Sequence, residues 1–136
     1  MRFHEFSPEK LPTLSKIEKG DLKLLCHSDY WDGPKSGLLS YQGSKYRFQV
    51  FDEPDNATTF RRFLIIELSP EQLGEEEHWH DLFRQKVGTH TDYDESGTRQ
   101  FAMLRPQEMW QEFYGAYSNR RPQDFSVNRL IGWFEY

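Results

Sequence analysis

A single cysteine, Cys26, cannot close an internal disulfide, and the opening MRFHEFSPEKLPT has no apolar stretch of the kind a secretory signal carries. Together these features predict a cytoplasmic protein in a reducing compartment. No run of the chain approaches the roughly 20 apolar residues that span a bilayer, so no membrane partner is expected. A basic excess is missing too: 17 Lys and Arg stand against 22 Asp and Glu, for a net charge of −5. Non-specific nucleic-acid affinity comes mostly from Lys and Arg neutralising phosphates, so no nucleic-acid partner is expected either. Gly-x-Gly-x-x-Gly, a Walker A loop, a Gly-x-Ser-x-Gly elbow and Cys-x-x-Cys are all absent. Nucleotide binding, serine hydrolysis and thiol redox chemistry thereby lose their usual sequence support, and no cofactor is read from the chain.

What the sequence has is aromatic bulk. Its 136 residues include 11 Phe, 7 Tyr and 4 Trp, so a few large rings must supply much of the buried area. The length is that of one ordinary domain, and a single globular domain over 1–136 is expected. Pro8, Pro70, Pro106 and Pro122 each precede Glu or Gln, and proline suits the first helical position, where its missing N–H costs nothing. The clearest start is Ser69-Pro70-Glu71-Gln72, a capping box in which Ser69 and Gln72 satisfy each other's backbone N–H groups. Leu73, Trp79, Leu82, Phe83 and Val87 come after it at near-helical spacing and Gly88 is a natural stop, which predicts a helix from about 70 to 87. From Pro106, Met109, Trp110, Phe113, Tyr114 and Tyr117 predict a second amphipathic helix. Pro12 limits 7–19 to a turn of helix, and 122–128 reads as an equally short helix.

Between these lie strand patterns. LLSYQGSKYRFQVF reads as a hairpin about a Gly43-Ser44 turn, with Tyr41 opposite Tyr46, Leu39 opposite Phe48 and Gly37 opposite Val50. In that frame Leu39, Tyr41, Tyr46, Phe48 and Val50 share an apolar face, and Ser40, Arg47 and Gln49 the other. DLKLLCHS alternates with Leu22, Leu24 and Cys26 on one side, RRFLIIELS is a dense apolar run suited to a central strand, and RLIGWFEY reads as a last strand weakened by Gly132. The expected fold is α+β: an antiparallel sheet of about four to five strands with two amphipathic helices packed on one face.

The segment SDYWDGPKSG, Ser28–Gly37, joins a strand ending near Ser28 to one beginning near Gly37. Gly33 and Pro34 are turn chemistry, and Asp29 or Asp32 can accept backbone N–H groups within such a loop. Turn geometry does not require Tyr30 and Trp31. Those rings either fold back on the core or line a surface used by a ligand or partner, where Tyr and Trp are enriched.

Other clusters have weaker chemistry. His78 and His80 are two apart on the predicted helix and point about 200° away from each other, so one ion cannot take both. Glu76 and His80 share a face without forming a His-Glu-x-x-His motif. Asp92, Asp94, Ser96 and Gly97 resemble the first half of a calcium loop, yet Met103 stands where the bidentate Glu belongs. No metal site is assigned. Residues 71–95 hold eight acids against Arg84 and Lys86, and the pairs Arg61-Arg62 and Arg120-Arg121 suit either an internal partner for this segment or an anion. Cys26, on the apolar side of its strand, reads as a small core residue.

These features favour a non-catalytic binding or protein-interaction domain. Its surface comprises Asp29, Tyr30, Trp31, Asp32 and Ser36, with the acidic helix beside it, and its partner is a protein or a small ligand. The alternative is a small α+β enzyme with Asp29 or Asp32 as acid or base at the 29–37 loop and His27 nearby; a metal-binding protein using His or Asp clusters is a third. The sequence leaves catalytic residues and oligomeric state unassigned.

Overall fold

A computed structural model describes residues 1–30, 34–54, 60–88, 92–93, 99–100 and 106–136, with backbone alone at 29–30, 92–93 and 99–100. The chain forms two compact units, one of Met1–Leu73 with Gln123–Tyr136 and one of Gly74–Pro122. The fold is α+β. Strands β1 (Leu22–Tyr30), β2 (Pro34–Tyr41), β3 (Ser44–Asp52), β4 (Arg62–Ile66) and β7 (Leu130–Glu135) make a five-stranded antiparallel sheet in the order β1-β2-β3-β4-β7. The helices are α1 (Pro70–Lys86) and α2 (Gln107–Asn119), and β5 (Asp92–Tyr93) pairs with β6 (Arg99–Gln100).

The β2–β3 hairpin turns at Gln42-Gly43, with φ of 50° and 79°, one residue earlier than the sequence suggests. Positive φ at both positions is the type I′ geometry, which matches the twist of the flanking strands, and Gly43 adopts it without strain at the second position. Tyr41 therefore opposes Ser44, and Leu39 opposes Tyr46. The slip is two residues along the partner strand, so every side chain keeps its expected face. Leu39, Phe48, Phe63, Ile65 and Phe134 form one core, with Tyr41, Tyr46 and Val50 packed against it. Phe63 and Phe134 stack at 5.0 Å, and Phe48 meets them edge-on at 5.6 and 6.1 Å.

The first strand departs from simple alternation. Leu24 pairs with Leu39, whereas Cys26 pairs with Leu38, so an irregularity at Leu25 turns Cys26 to the face opposite Leu22 and Leu24. Cys26 thus does not share their apolar side. A bulge of this kind adds one unpaired residue and re-aims the side chains beyond it.

Residues before β1 close the far edge of the sheet. The Ile17 N–H donates to the Trp133 carbonyl at 2.8 Å, and the Trp133 N–H to the Ser15 carbonyl at 3.0 Å, so 15–17 lies outside β7 as a short parallel stave. Leu22, five residues after Ile17, begins β1 on the other edge. Five residues reach at most about 18 Å, while five strand spacings across a flat sheet need about 24 Å. The sheet must therefore curl until its edges approach, and Ile17 enters the same core as Leu39, Phe48 and Phe134. Gly132 makes room for this closure: a Cβ there would lie 2.7 Å from the Ser15 carbonyl oxygen and 2.8 Å from Ile17 Cδ1.

The outer face buries Leu64, Ile66 and Leu130 beneath Met1, Phe3, Phe6, Leu14, Phe125 and Trp133. The 7–19 stretch is a 3₁₀ turn, Pro8–Thr13, with Pro12 inside it, as its proline allows. Residues 121–129 carry no helix; they form an extended and turn segment instead. This segment is pinned to the start of α1. The capping box is present, with Ser69 N–H to Gln72 Oε1 at 3.0 Å and Gln72 N–H to Ser69 Oγ at 3.1 Å. Gln72 Nε2 then donates to the Asp124 carbonyl at 3.2 Å, and Gln123 Nε2 to the Gln72 carbonyl at 3.1 Å. The Ser126 hydroxyl and backbone N–H hold the Asp124 carboxyl below the usual carboxylate range.

In the second unit, Phe113 of α2 is the centre. It stacks on Tyr117 at 5.3 Å and meets Phe83 of α1 edge-on at 5.5 Å, with Trp79, Leu82 and Trp110 around it. Helix α1 ends as expected: Gly88, at φ 123°, donates its N–H to the Phe83 carbonyl at 3.0 Å.

Two glycines separate packing from propensity. A Cβ at Gly37 would run into the Cys26 carbonyl group and lie 2.9 Å from His27 Cα, whereas one at Gly115 on α2 meets nothing within 4 Å. Gly37→Ala is expected to destabilise by roughly 2 kcal/mol or more through forced backbone movement, and Gly115→Ala to stabilise by about 0.5–1 kcal/mol. Urea denaturation of the two variants checks both signs. Phe134→Ala, at a fully buried position, is expected to cost about 3–5 kcal/mol in the same measurement.

Candidate functional site

The strands on either side of SDYWDGPKSG are longer than composition suggests. Strand β1 continues through Asp29 and Tyr30, and β2 begins at Pro34, with Tyr30 opposite Pro34 and Asp29 opposite Ser36. Aspartate and proline are depleted in strands, yet cross-strand contacts override that preference here. What joins the strands is three residues, 31–33, so Trp31 and Asp32 fall in the connection and outside the described residues. Asp29 and Tyr30 occupy the last two positions of β1.

Ser36 lies at the root and is only 4% exposed. Its hydroxyl shares a hydrogen bond of 2.8 Å with the Ser28 hydroxyl across the two strands. Arg47 of β3 donates to Ser28 Oγ at 3.5 Å and to Gln49 Oε1 at 3.1 Å, and its guanidinium lies 4.6 Å from the Phe125 ring centre. Ser28, Ser36, Arg47 and Gln49 thus form a polar row under the hairpin, on the face away from the three-phenylalanine core. Ser36 helps hold the tip from below.

His27 takes the other side. It pairs with Gly37, and its ring stands edge-on to Phe48 at 6.2 Å, against the aromatic core. Gly37 has no side chain because Cys26 and His27 occupy that space; packing across the bulge explains this glycine, in addition to any turn preference.

Two further contacts brace the start of β2. Lys35 Nζ lies 3.3 Å from Glu53 Oε1, and Arg61, just before β4, donates from Nη1 to the Pro34 carbonyl at 3.1 Å. Neither carries a sequence signal, since both partners are 18 or more positions away along the chain. Arg62 and Arg120 are engaged elsewhere. Arg62 lies 3.4 Å from Glu135 and 3.9 Å from Asp52, and Arg120 covers the Tyr117 ring at 3.5 Å and donates to the Tyr117 carbonyl at 2.7 Å.

On α1, His78 is exposed and lies edge-on to Trp79, whose indole N–H donates to Glu75 at 2.9 Å. Among the described residues no group of three or more His, Cys, Asp and Glu is placed to hold a metal ion. Asp94, Ser96 and Gly97 of the calcium-like stretch lie outside the described residues, and Asp92 begins β5. Among the described residues, no helix is long and apolar enough to cross a membrane.

No family model matches the chain, and neither a curated protein nor a solved structure does.

The Ser28–Ser36 bond has a measurable signature. Ser28→Ala and Ser36→Ala, alone and together, form a double-mutant cycle whose coupling is expected at about 0.5–1.5 kcal/mol, the size of one net hydrogen bond. Coupling within error of zero would show that this bond does not hold the root.

Proposed function

We propose that the chain is a non-catalytic binding or protein-interaction domain of the reducing cytoplasm, and that it engages a protein or small ligand through the tip of the β1–β2 hairpin. The observation that carries this reading is the shortness of the connection: only residues 31–33 separate the Tyr30–Pro34 pair. The backbone of Asp29 and Tyr30 ends a strand whose hairpin root is tied by Ser28–Ser36 and by Arg61 on Pro34, and Trp31 and Asp32 follow it directly in sequence. Large rings presented from a braced support lose little conformational freedom on binding, and such anchors dominate interface energies. Ser36 enters as support for the tip, since its hydroxyl is buried and bonded. The acidic character of the tip favours partners carrying Lys or Arg, which pair with carboxylates and lie over aromatic faces.

The alternative of acid–base catalysis by Asp29 or Asp32 with His27 gains no support from the position of His27 against Phe48.

A pull-down with immobilised protein, repeated with Trp31→Ala and Asp32→Ala, tests the proposal. Captured partners are expected to fall at least about tenfold in each variant, as for loss of an anchor worth more than about 1.4 kcal/mol. Thermal denaturation shows whether the fold is retained. Undiminished capture by both folded variants rules the tip out.

A further inference from the structure

We propose that Arg61 is a positioning residue for the Tyr30–Pro34 end of the β1–β2 hairpin, an inference that rests on the reading of this hairpin end as the binding surface. The last rung of the hairpin is the Tyr30–Pro34 pair, and proline has no N–H, so the rung is limited to one of the two bonds a ladder pair can make. Only residues 31–33 lie between its two members in sequence. Arg61 adds a bond at the same residue: its Nη1 donates to the Pro34 carbonyl at 3.1 Å.

The donor comes from two strands away. Pro34 begins β2 and Arg61 immediately precedes β4, with β3 between them, a separation of about 9.6 Å across the sheet that only a long side chain spans. The base of that side chain is itself fixed. The Arg61 N–H donates to the Tyr136 carbonyl at 3.0 Å, and the Tyr136 N–H to the Arg61 carbonyl at 2.9 Å. Tyr136 is held in turn by Lys19, whose Nζ sits 3.5 Å from its ring centre. The Pro34 end of β2 is thus tied to Tyr136, next to the end of β7, through one guanidinium. Lys35–Glu53 braces the same strand at the next residue, but it is a partly exposed pair of the kind that contributes little.

Amide hydrogen exchange on the protein alone tests this, using Arg61→Met and Arg61→Lys. Methionine keeps the stem and removes the donor; lysine keeps a donor of similar reach. The Tyr30 and Ser36 amides are expected to exchange about tenfold faster in Arg61→Met, the effect of losing one charge-assisted bond on a local opening. Arg61→Lys is expected to recover part of that protection, while Phe48 and Leu64 in the sheet centre exchange as in the parent. Unchanged exchange at Tyr30 and Ser36 overturns the proposal, as does equal acceleration at Phe48 and Leu64, or a lysine variant no slower than the methionine one. Because no partner enters the measurement, failure here is distinct from failure of the tip as a binding surface.

Discussion

The pairing of Ser15–Ile17 with Trp133 is the contact on which the shape of the sheet depends. It ties residues just before the first strand to the outer edge of the last one. Because five residues then have to reach the opposite edge, a flat sheet is excluded by chain length alone. Curling turns one face inward, and that face collects Phe48, Phe63 and Phe134, none of them measurably exposed. A chain low in aliphatic content can fill such an interior because three rings, stacked and edge-on, occupy space that many smaller side chains would otherwise have to fill. Closure leaves no room for a Cβ at Gly132, so the glycine that weakens this strand by propensity is needed for its packing.

The root of the β1–β2 hairpin is held from within the sheet. It is reached by side chains from β3 and from the start of β4, and the second of these is anchored at Tyr136, at the end of the strand that Ser15–Ile17 covers. The contacts at the root also divide by face. His27 goes to the aromatic interior, while Ser28, Ser36, Arg47 and Gln49 gather on the other side. The polar groups beneath the tip serve one another's hydrogen-bonding needs, as half-buried groups in a sheet must.

The elements whose signals are local are legible in the sequence. The capping box at Ser69 and the stop at Gly88 mark α1 at both ends, and the alternation of Leu39, Tyr41, Tyr46, Phe48 and Val50 marks the inner face of β2 and β3. The hairpin frame is displaced because Gly43 fits either position of a two-residue turn: Gly43-Ser44 suits a type II′ turn with glycine first, whereas the chain takes positive φ at both Gln42 and Gly43. Alternation alone puts Cys26 on the wrong face because the irregularity at Leu25 leaves no trace in composition. At the candidate site, Gly33 and Pro34 suggest an earlier end to the strands, whereas the Ser28–Ser36 bond carries the pairing further. Arg61 and Glu53 are invisible as parts of the root, since their contacts join distant stretches of chain, and Trp31 and Asp32 lie outside the described residues.

Closure of the sheet is most directly tested by nuclear Overhauser contacts at its seam. With Ile17 Cδ1 lying 2.8 Å from where a Gly132 Cβ would stand, strong cross-peaks are predicted between the Ile17 δ-methyl and the Gly132 α protons. Their absence in a folded protein, with the Ile17 methyl at a random-coil shift, would contradict the curled sheet.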